Sequence, residues 1–136
     1  MYRFFPNMTE KEVNSISMLG LAHVGDGVYE LLIRSMLCET GHTAVADLHK
    51  RTVKMVRAEA QSEAMEAIKP LLDEKELAVY KRGRNARVNS VPKHADIRQY
   101  HAATGLEALF GWLYLQGKLE RINELFKAVM ESYHAA

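Results

Sequence analysis

Apolar residues recur three and four positions apart along almost the whole chain, and no stretch alternates apolar with polar in the manner of a half-buried strand. That period belongs to amphipathic helices, which must bury their apolar stripes against one another. Local signals mark where each helix starts and stops. Thr9 and Glu12 have the spacing of a capping box, opening a helix that runs to about Thr40, where Gly41 ends it. A second long helix is expected from about Thr43 to Ala67, with Asp47 early in it and Pro70 as its stop. Its stripe is Leu48, Thr52, Met55, Val56, Ala60, Ala64, Ala67 and Ile68. Asp73 and Glu76 begin a short helix that ends at Gly83, and residues 84–95, with Asn85, Asn89, Ser90 and Pro92, break the pattern as one substantial loop. Asp96 is set to cap a helix over Ile97–Gln116 closed by Gly117, and a last helix covers about Leu119–Tyr133. There is no internal repeat or low-complexity tract. The expectation is an all-α bundle forming a single domain over residues 1–136.

The lone cysteine, Cys38, excludes an intramolecular disulfide framework and fits a reducing compartment. The start, Met1-Tyr-Arg-Phe-Phe-Pro6, has no apolar core of signal-peptide length, and no run approaches the roughly 18–20 apolar residues that span a bilayer. A cytoplasmic protein without membrane contact is expected. The net charge of +1, from 18 basic and 17 acidic residues, conceals an uneven distribution. Lys50, Arg51, Lys54 and Arg57 come without an acid among them; Lys81, Arg82, Arg84, Arg87, Lys93 and Arg98 face only Asp96. A near-neutral chain patterned this way can present a basic face to a polyanion.

Two acids stand apart from the rest. Asp26 lies between Gly25 and Gly27 in the apolar run Ile16–Ile33, and Glu107 lies in Thr104-Gly-Leu-Glu-Ala-Leu-Phe-Gly-Trp-Leu-Tyr-Leu115. Apolar neighbours at helical spacing imply that both carboxylates are taken into the core, where an ionised acid needs a partner. Glycines at 25, 27, 105 and 111 would let two helix backbones approach until the acids share an ion. Hard divalent cations, magnesium above all, are held in this way by one or two carboxylates plus waters and phosphates. The alternative is structural: each acid pairs with a buried base or caps a backbone group.

Lys50, Lys54 and Arg57 fall on one helical face opposite the apolar stripe, which is either a solvated face or a phosphate contact. The segment from Arg82 to His94 combines Arg82, Arg84, Asn85, Arg87 and Lys93 with little to bury. Arginine and lysine contact phosphates, and asparagine and serine reach 2′-hydroxyls and base edges, so this loop suits insertion into a nucleic-acid groove; a plain connector is the alternative. His23, three residues before Asp26, is expected to pack rather than to act, and Glu30 to pair with Arg34 on the helix surface. The histidines have no metal-ligand spacing, Cys38 has no base partner, and there is no P-loop or nucleophile elbow.

Several segments, in order and at matching separations, carry a resemblance. Leu21-Ala-His-Val-Gly-Asp-Gly-Val-Tyr-Glu30 resembles the signature helix of the ribonuclease III fold. Leu48-His-Lys50, Lys81-Arg-Gly-Arg-Asn-Ala-Arg87, Val91-Pro-Lys-His-Ala-Asp96 and Thr104–Leu115 look like the Mini-ribonuclease III family, over about Leu19 to Leu125. The resemblance implies a homodimeric, all-α ribonuclease III endonuclease bundle without the double-stranded-RNA-binding domain of ordinary ribonuclease III. It implies cleavage of double-stranded RNA, the maturation of 23S ribosomal RNA precursor ends, Asp26 as catalytic aspartate and Glu107 as metal-binding glutamate around Mg2+. On this basis Lys50, Lys54, Arg57, Arg82, Arg84, Asn85, Arg87 and Lys93 become RNA contacts, and the subunit contact is expected around the signature helix and the Phe110-Gly-Trp-Leu-Tyr114 region.

The chain departs from ordinary ribonuclease III in carrying Leu19, Ala22 and Thr104 where that enzyme has further acids, a sparse arrangement that Mini-type proteins share. His23 and Gly27 stand where relatives usually have tyrosine and alanine, which bears on packing rather than chemistry. Two other readings remain. One is a catalytically inactive, ribosome-associated RNA-binding protein of the same fold, against which the retention of both acids speaks. The other is a metal-dependent nucleotide hydrolase, which would want several acids clustered at helical spacing.

Overall fold

The computed structural model describes residues 2–86, 91, 93 and 96–135. Among them the helices are α1 (Glu10–Asn14), α2 (Met18–Glu39), α3 (Val45–Val56), α4 (Ala58–Ile68), α5 (Glu74–Arg84), α6 (Ile97–Leu115) and α7 (Leu119–Ala135), with a single 3₁₀ turn at Lys69–Leu71. The all-α expectation stands.

α6 is the axis of the bundle. From Ala103 to Leu113 every residue except Glu107 is buried, so apolar side chains surround the helix instead of forming one stripe. A helix apolar on all sides must be enclosed, and α2, α4, α5 and α7 enclose it. Phe110, Gly111 and Trp112, expected at a subunit contact, are therefore spent inside the bundle; Trp112 Nε1 donates to Asn14 Oδ1 at 2.9 Å and ties α1 down.

Each of the two expected long helices is in fact a pair. The capping box at Thr9 opens only the short α1, because the chain turns at Ser15–Ser17 and Ser17 caps α2 by accepting from the Gly20 N–H at 3.0 Å. The second break, at Arg57, carries no proline or glycine signal. Arg57 is extended (φ −64°, ψ 155°), and the Val56 carbonyl freed at the end of α3 accepts 2.7 Å from Gln61 Nε2. Tertiary packing explains it: α3 lies on α2 while α4 lies on α6 and α7, and one straight helix could not reach both.

Gly41 and Gly117 end their helices at positive φ (101° and 74°), as expected. Gly83 does not end α5, which runs on to Arg84. An added Cβ at Gly83 would stand 2.7 Å from the Ala108 methyl, so this glycine serves the α5–α6 contact. Glu76 does more than close a capping box with Asp73. It is 3 % exposed, and both its oxygens accept from Arg121 of α7 at 2.8 Å, while Arg121 also donates to the Leu71 carbonyl at 2.7 Å. That satisfied ion pair fixes α7 against α5.

The closest approach in the bundle is between α2 and α6. A Cβ at Gly25 would fall 1.6 Å from the Glu107 carbonyl oxygen, and one at Gly111 would fall 2.0 Å from that of Leu21. Gly105 instead makes room for the Tyr80 ring of α5, and Gly27 has open space at its Cβ. Gly25→Ala should therefore cost at least about 1–3 kcal/mol, since neither backbone can yield, whereas Gly27→Ala should add about 0.5–1 kcal/mol through helix propensity. Urea denaturation of the two variants checks this, and equal effects would contradict the contact.

Candidate active site

The Gly25–Gly111 crossing builds the site. It presses the backbone of Glu107 against α2 and leaves the next α2 residue, Asp26, beside the Glu107 side chain. The Asp26 carboxyl is near enough to raise the proton affinity of Glu107. One expectation is corrected here: Asp26 is exposed, and Glu107 is the acid taken partly into the bundle. The apolar residues of α2 fall on two faces. Leu21, Tyr29, Ile33 and Leu37 enter the core, while Leu31 lies on an uncovered face and Leu19 is exposed elsewhere on the helix, so apolar neighbours did not bury Asp26.

Glu107 is pushed up to about 8, first by burial and then by its hydrogen bond with, and the charge of, Asp26. Gln61 works weakly in the opposite direction, with Nε2 3.5 Å from Glu107 Oε2. Among the described residues no ion pair involves Asp26 or Glu107, which removes the reading in which each acid pairs with a buried base. Nor does any third histidine, cysteine or acid complete a cluster with them. Two adjacent carboxylates without a base, one at the surface and one held protonated by its surroundings, are a donor set that a hard cation would neutralise. All-oxygen ligation with open positions for water and phosphate fits Mg2+.

The described basic residues lie on α3, at the α3–α4 joint, at the end of α5 and, for Lys93, in the segment between α5 and α6. Arg57 sits at the α3–α4 joint, four residues from Gln61, and Gly83 of α5 touches Ala108, the neighbour of Glu107. Lys50, Lys54 and Arg57 are exposed; Arg51 on the same helix is held by Asp47 at 3.0 Å. Arg82 and Arg84 belong to the last turn of α5 and not to the loop. The Arg84 guanidinium lies 5.5 Å from the Tyr80 ring centroid and its Nε donates to Asn85 Oδ1 at 3.3 Å. Lys93 is exposed, and Arg87 lies outside the described residues. Asp96 is a helix cap, accepting from the Arg98 and Gln99 N–H groups at 2.9 and 3.2 Å. His23 is exposed rather than packed, and Glu30 pairs with Arg34 at 2.8 Å as expected.

Sequence reasoning missed Gln61. Its one signal was a long amide within the apolar stripe of α4, at a position otherwise taken by alanine and methionine.

An all-α bundle with a glycine-locked aspartate–glutamate pair on two crossing helices defines a nuclease domain of the ribonuclease III type. The Ribonuclease III domain model matches residues 19–118. The chain is 40% identical to Mini-ribonuclease 3 of Clostridium tetani over 92% of its own length and 83% of that protein's. It is 43% identical to Mini-ribonuclease 3 of a Thermoanaerobacter species, covering 88% of this chain and 84% of the relative. A crystal structure of a Fusobacterium nucleatum protein superposes with a TM-score of 0.80 at 31% identity, over 90% of this chain and 98% of the other. The chain belongs to the Mini-ribonuclease III family, and with it to the endoribonucleases.

The raised Glu107 value has a consequence for stability. Its carboxyl binds a proton in the folded state up to about pH 8 and in the unfolded state only up to about 4.5, so the metal-free protein loses stability as pH rises through that interval. The fall in melting temperature between pH 5 and 8 should be smaller in Glu107→Gln than in the native chain. Mg2+ should raise the melting temperature more at pH 8 than at pH 6, because binding displaces that proton. Parallel pH profiles for the two proteins would contradict the assignment.

Proposed function

We propose that this chain, acting as one catalytic domain over residues 1–136, is a magnesium-dependent endoribonuclease that cuts double-stranded RNA in the cytoplasm and matures the ends of the 23S ribosomal RNA precursor. The observation that carries the proposal is the placement of the Asp26 and Glu107 side chains next to one another, with no ion pair to either among the described residues. Membership of a ribonuclease III family supports the double-stranded substrate, and kinship with Mini-ribonuclease 3 supports the ribosomal precursor.

Asp26 and Glu107 would hold the ion, which supplies a water of lowered pKa and Lewis-acid neutralisation of charge on the phosphate. Asp26, open to solvent, is the ligand that meets the scissile phosphate's surroundings. Glu107, recessed in the bundle, gives up its proton when the site is loaded and anchors the pair through its backbone contact with Gly25. Lys50, Lys54 and Arg57, together with Arg82, Arg84, Asn85, Arg87 and Lys93, grip the phosphates that flank the cut. Such contacts supply most of the affinity of a sequence-tolerant nucleic-acid binder. Among the described residues no helix is long and apolar enough to cross a membrane.

We further propose a homodimer, with one strand cut by each subunit. The uncovered face of α2 supports it: Leu31 is 50 % exposed and lines, with Val24, Val28, Leu32 and Tyr114, an apolar groove of about 500 Å³. An exposed apolar surface of this kind marks an interface.

Incubation with a duplex of the 23S precursor ends, with single-stranded RNA and with nucleoside triphosphates, with and without Mg2+, tests the activity. Only the duplex should be cut, only with the metal, and Asp26→Asn should slow the cut by at least about 10²–10³-fold. Lys54→Ala in the same series should weaken binding and lower its salt slope by about 1. Duplex binding without any cleavage would favour the inactive RNA-binding reading, and triphosphate turnover the nucleotide hydrolase. For the dimer, sedimentation is decisive: Leu31→Glu should run as a monomer, and a native chain that is itself monomeric would end the proposal.

A further inference from the structure

Gln61 is buried, at 3 % exposure, yet its amide is used lopsidedly. Nε2 donates to the Val56 carbonyl at 2.7 Å and reaches Glu107 Oε2 at 3.5 Å, while Oε1, also buried, has no partner among the described residues. Buried side-chain oxygens are seldom left unpaired, and an exception calls for a reason. Reversing the amide offers no relief, because it would aim Oε1 at another acceptor, the Val56 carbonyl, and leave that carbonyl without its donor. The orientation is therefore decided by what the two N–H groups serve. One serves the joint where α3 gives way to α4; the other serves an acid of the active site, forty-six positions further along the chain.

A glutamate side chain has three torsions to fix, and Glu107 has no basic partner among the described residues to fix them. Its carboxyl also feels Asp26, a like charge when both are ionised. A donor on Oε2 selects one carboxylate orientation and leaves the other oxygen uncommitted. The long 3.5 Å separation suits a contact that tightens once the carboxylate is loaded. Because the same amide grips Val56, it also sets the acid in register with Arg57 at the joint and with the basic face of α3.

We propose that Gln61 is a positioning residue for the nuclease site: its amide bridges the α3–α4 joint to Glu107 and orients that carboxylate for the metal. This rests on the reading of Glu107 as a metal ligand. Partners that orient a metal ligand typically alter metal affinity 10–100-fold when removed.

Binding of Mn2+ to the full chain without RNA, followed by electron paramagnetic resonance, separates the possibilities, with the melting temperature of each variant recorded beside it. Gln61→Met, of similar length but without a donor, should weaken Mn2+ binding about tenfold. The Mg2+ concentration that half-saturates RNA cleavage should rise by the same factor. A folded Gln61→Met that melts lower but binds Mn2+ as tightly as the native chain would reduce Gln61 to a plug in the joint and overturn the proposal. Should that variant not fold, Gln61→Asn takes its place, since it keeps the amide but withdraws it by one methylene, and the same outcomes apply. Native protein whose Mn2+ binding is unaffected by Glu107→Gln would overturn the metal-site reading itself, and this proposal with it.

Discussion

The contact between Gly25 and Gly111 is the constraint on which the rest depends. Two helices normally stand 8–10 Å apart, a spacing set by the side chains between them. Here hydrogen atoms replace those side chains, and each backbone sits where the other's Cβ would be. The approach draws the apolar α6 into the centre, lets α4 and α5 close over its other sides, and leaves room for the Tyr80 ring beside Gly105. It also puts residue 26 beside residue 107. Stability and site geometry thus arise from the same few ångströms.

The site itself runs against the logic of a stable core. Two neighbouring carboxylates repel when ionised, and burial of Glu107 adds to the penalty by disfavouring its charged form. The remainder of the molecule shows how acids are treated when structure is the only concern. Glu76, more deeply buried, receives both Arg121 and a backbone N–H, and Asp47 receives His42 and Arg51. The contrast between Glu76, which has an arginine, and Glu107, which has no base among the described residues, separates architecture from chemistry more clearly than composition does. Local rules broken without local compensation are where function is expected.

The caps were legible in the amino-acid order because they are local. Thr9 with Glu12, Asp73 with Glu76, Asp96, Gly41 and Gly117 act through bonds to residues within a turn or so, and each is found at its post. The joint at Arg57 was not legible, because nothing within a turn demands it; the break is imposed by where α2 and α6 lie and is sealed by Gln61. Ser17 could have been read as a cap, but the apolar period continues past it and masked the turn. The depth of Asp26 was misjudged for a related reason. A run of apolar residues says that a helix has apolar faces without saying how many of them the subunit itself covers.

The order of residues by itself determined the helical class, most of the helix ends, the two acids that stand in apolar runs and the clustering of the basic residues. These follow from periodicity, from capping chemistry and from the scarcity of acids in apolar runs, all of which act over short separations. The tertiary structure decided which glycines touch, that Gly25 meets Glu107 while Gly27 meets nothing, that Asp26 faces solvent and Glu107 the interior, and that a glutamine of α4 reaches the site. The reason is physical: a close approach, a burial and a shifted proton affinity are properties of pairs of helices, and no helix carries its partner's position in its own pattern.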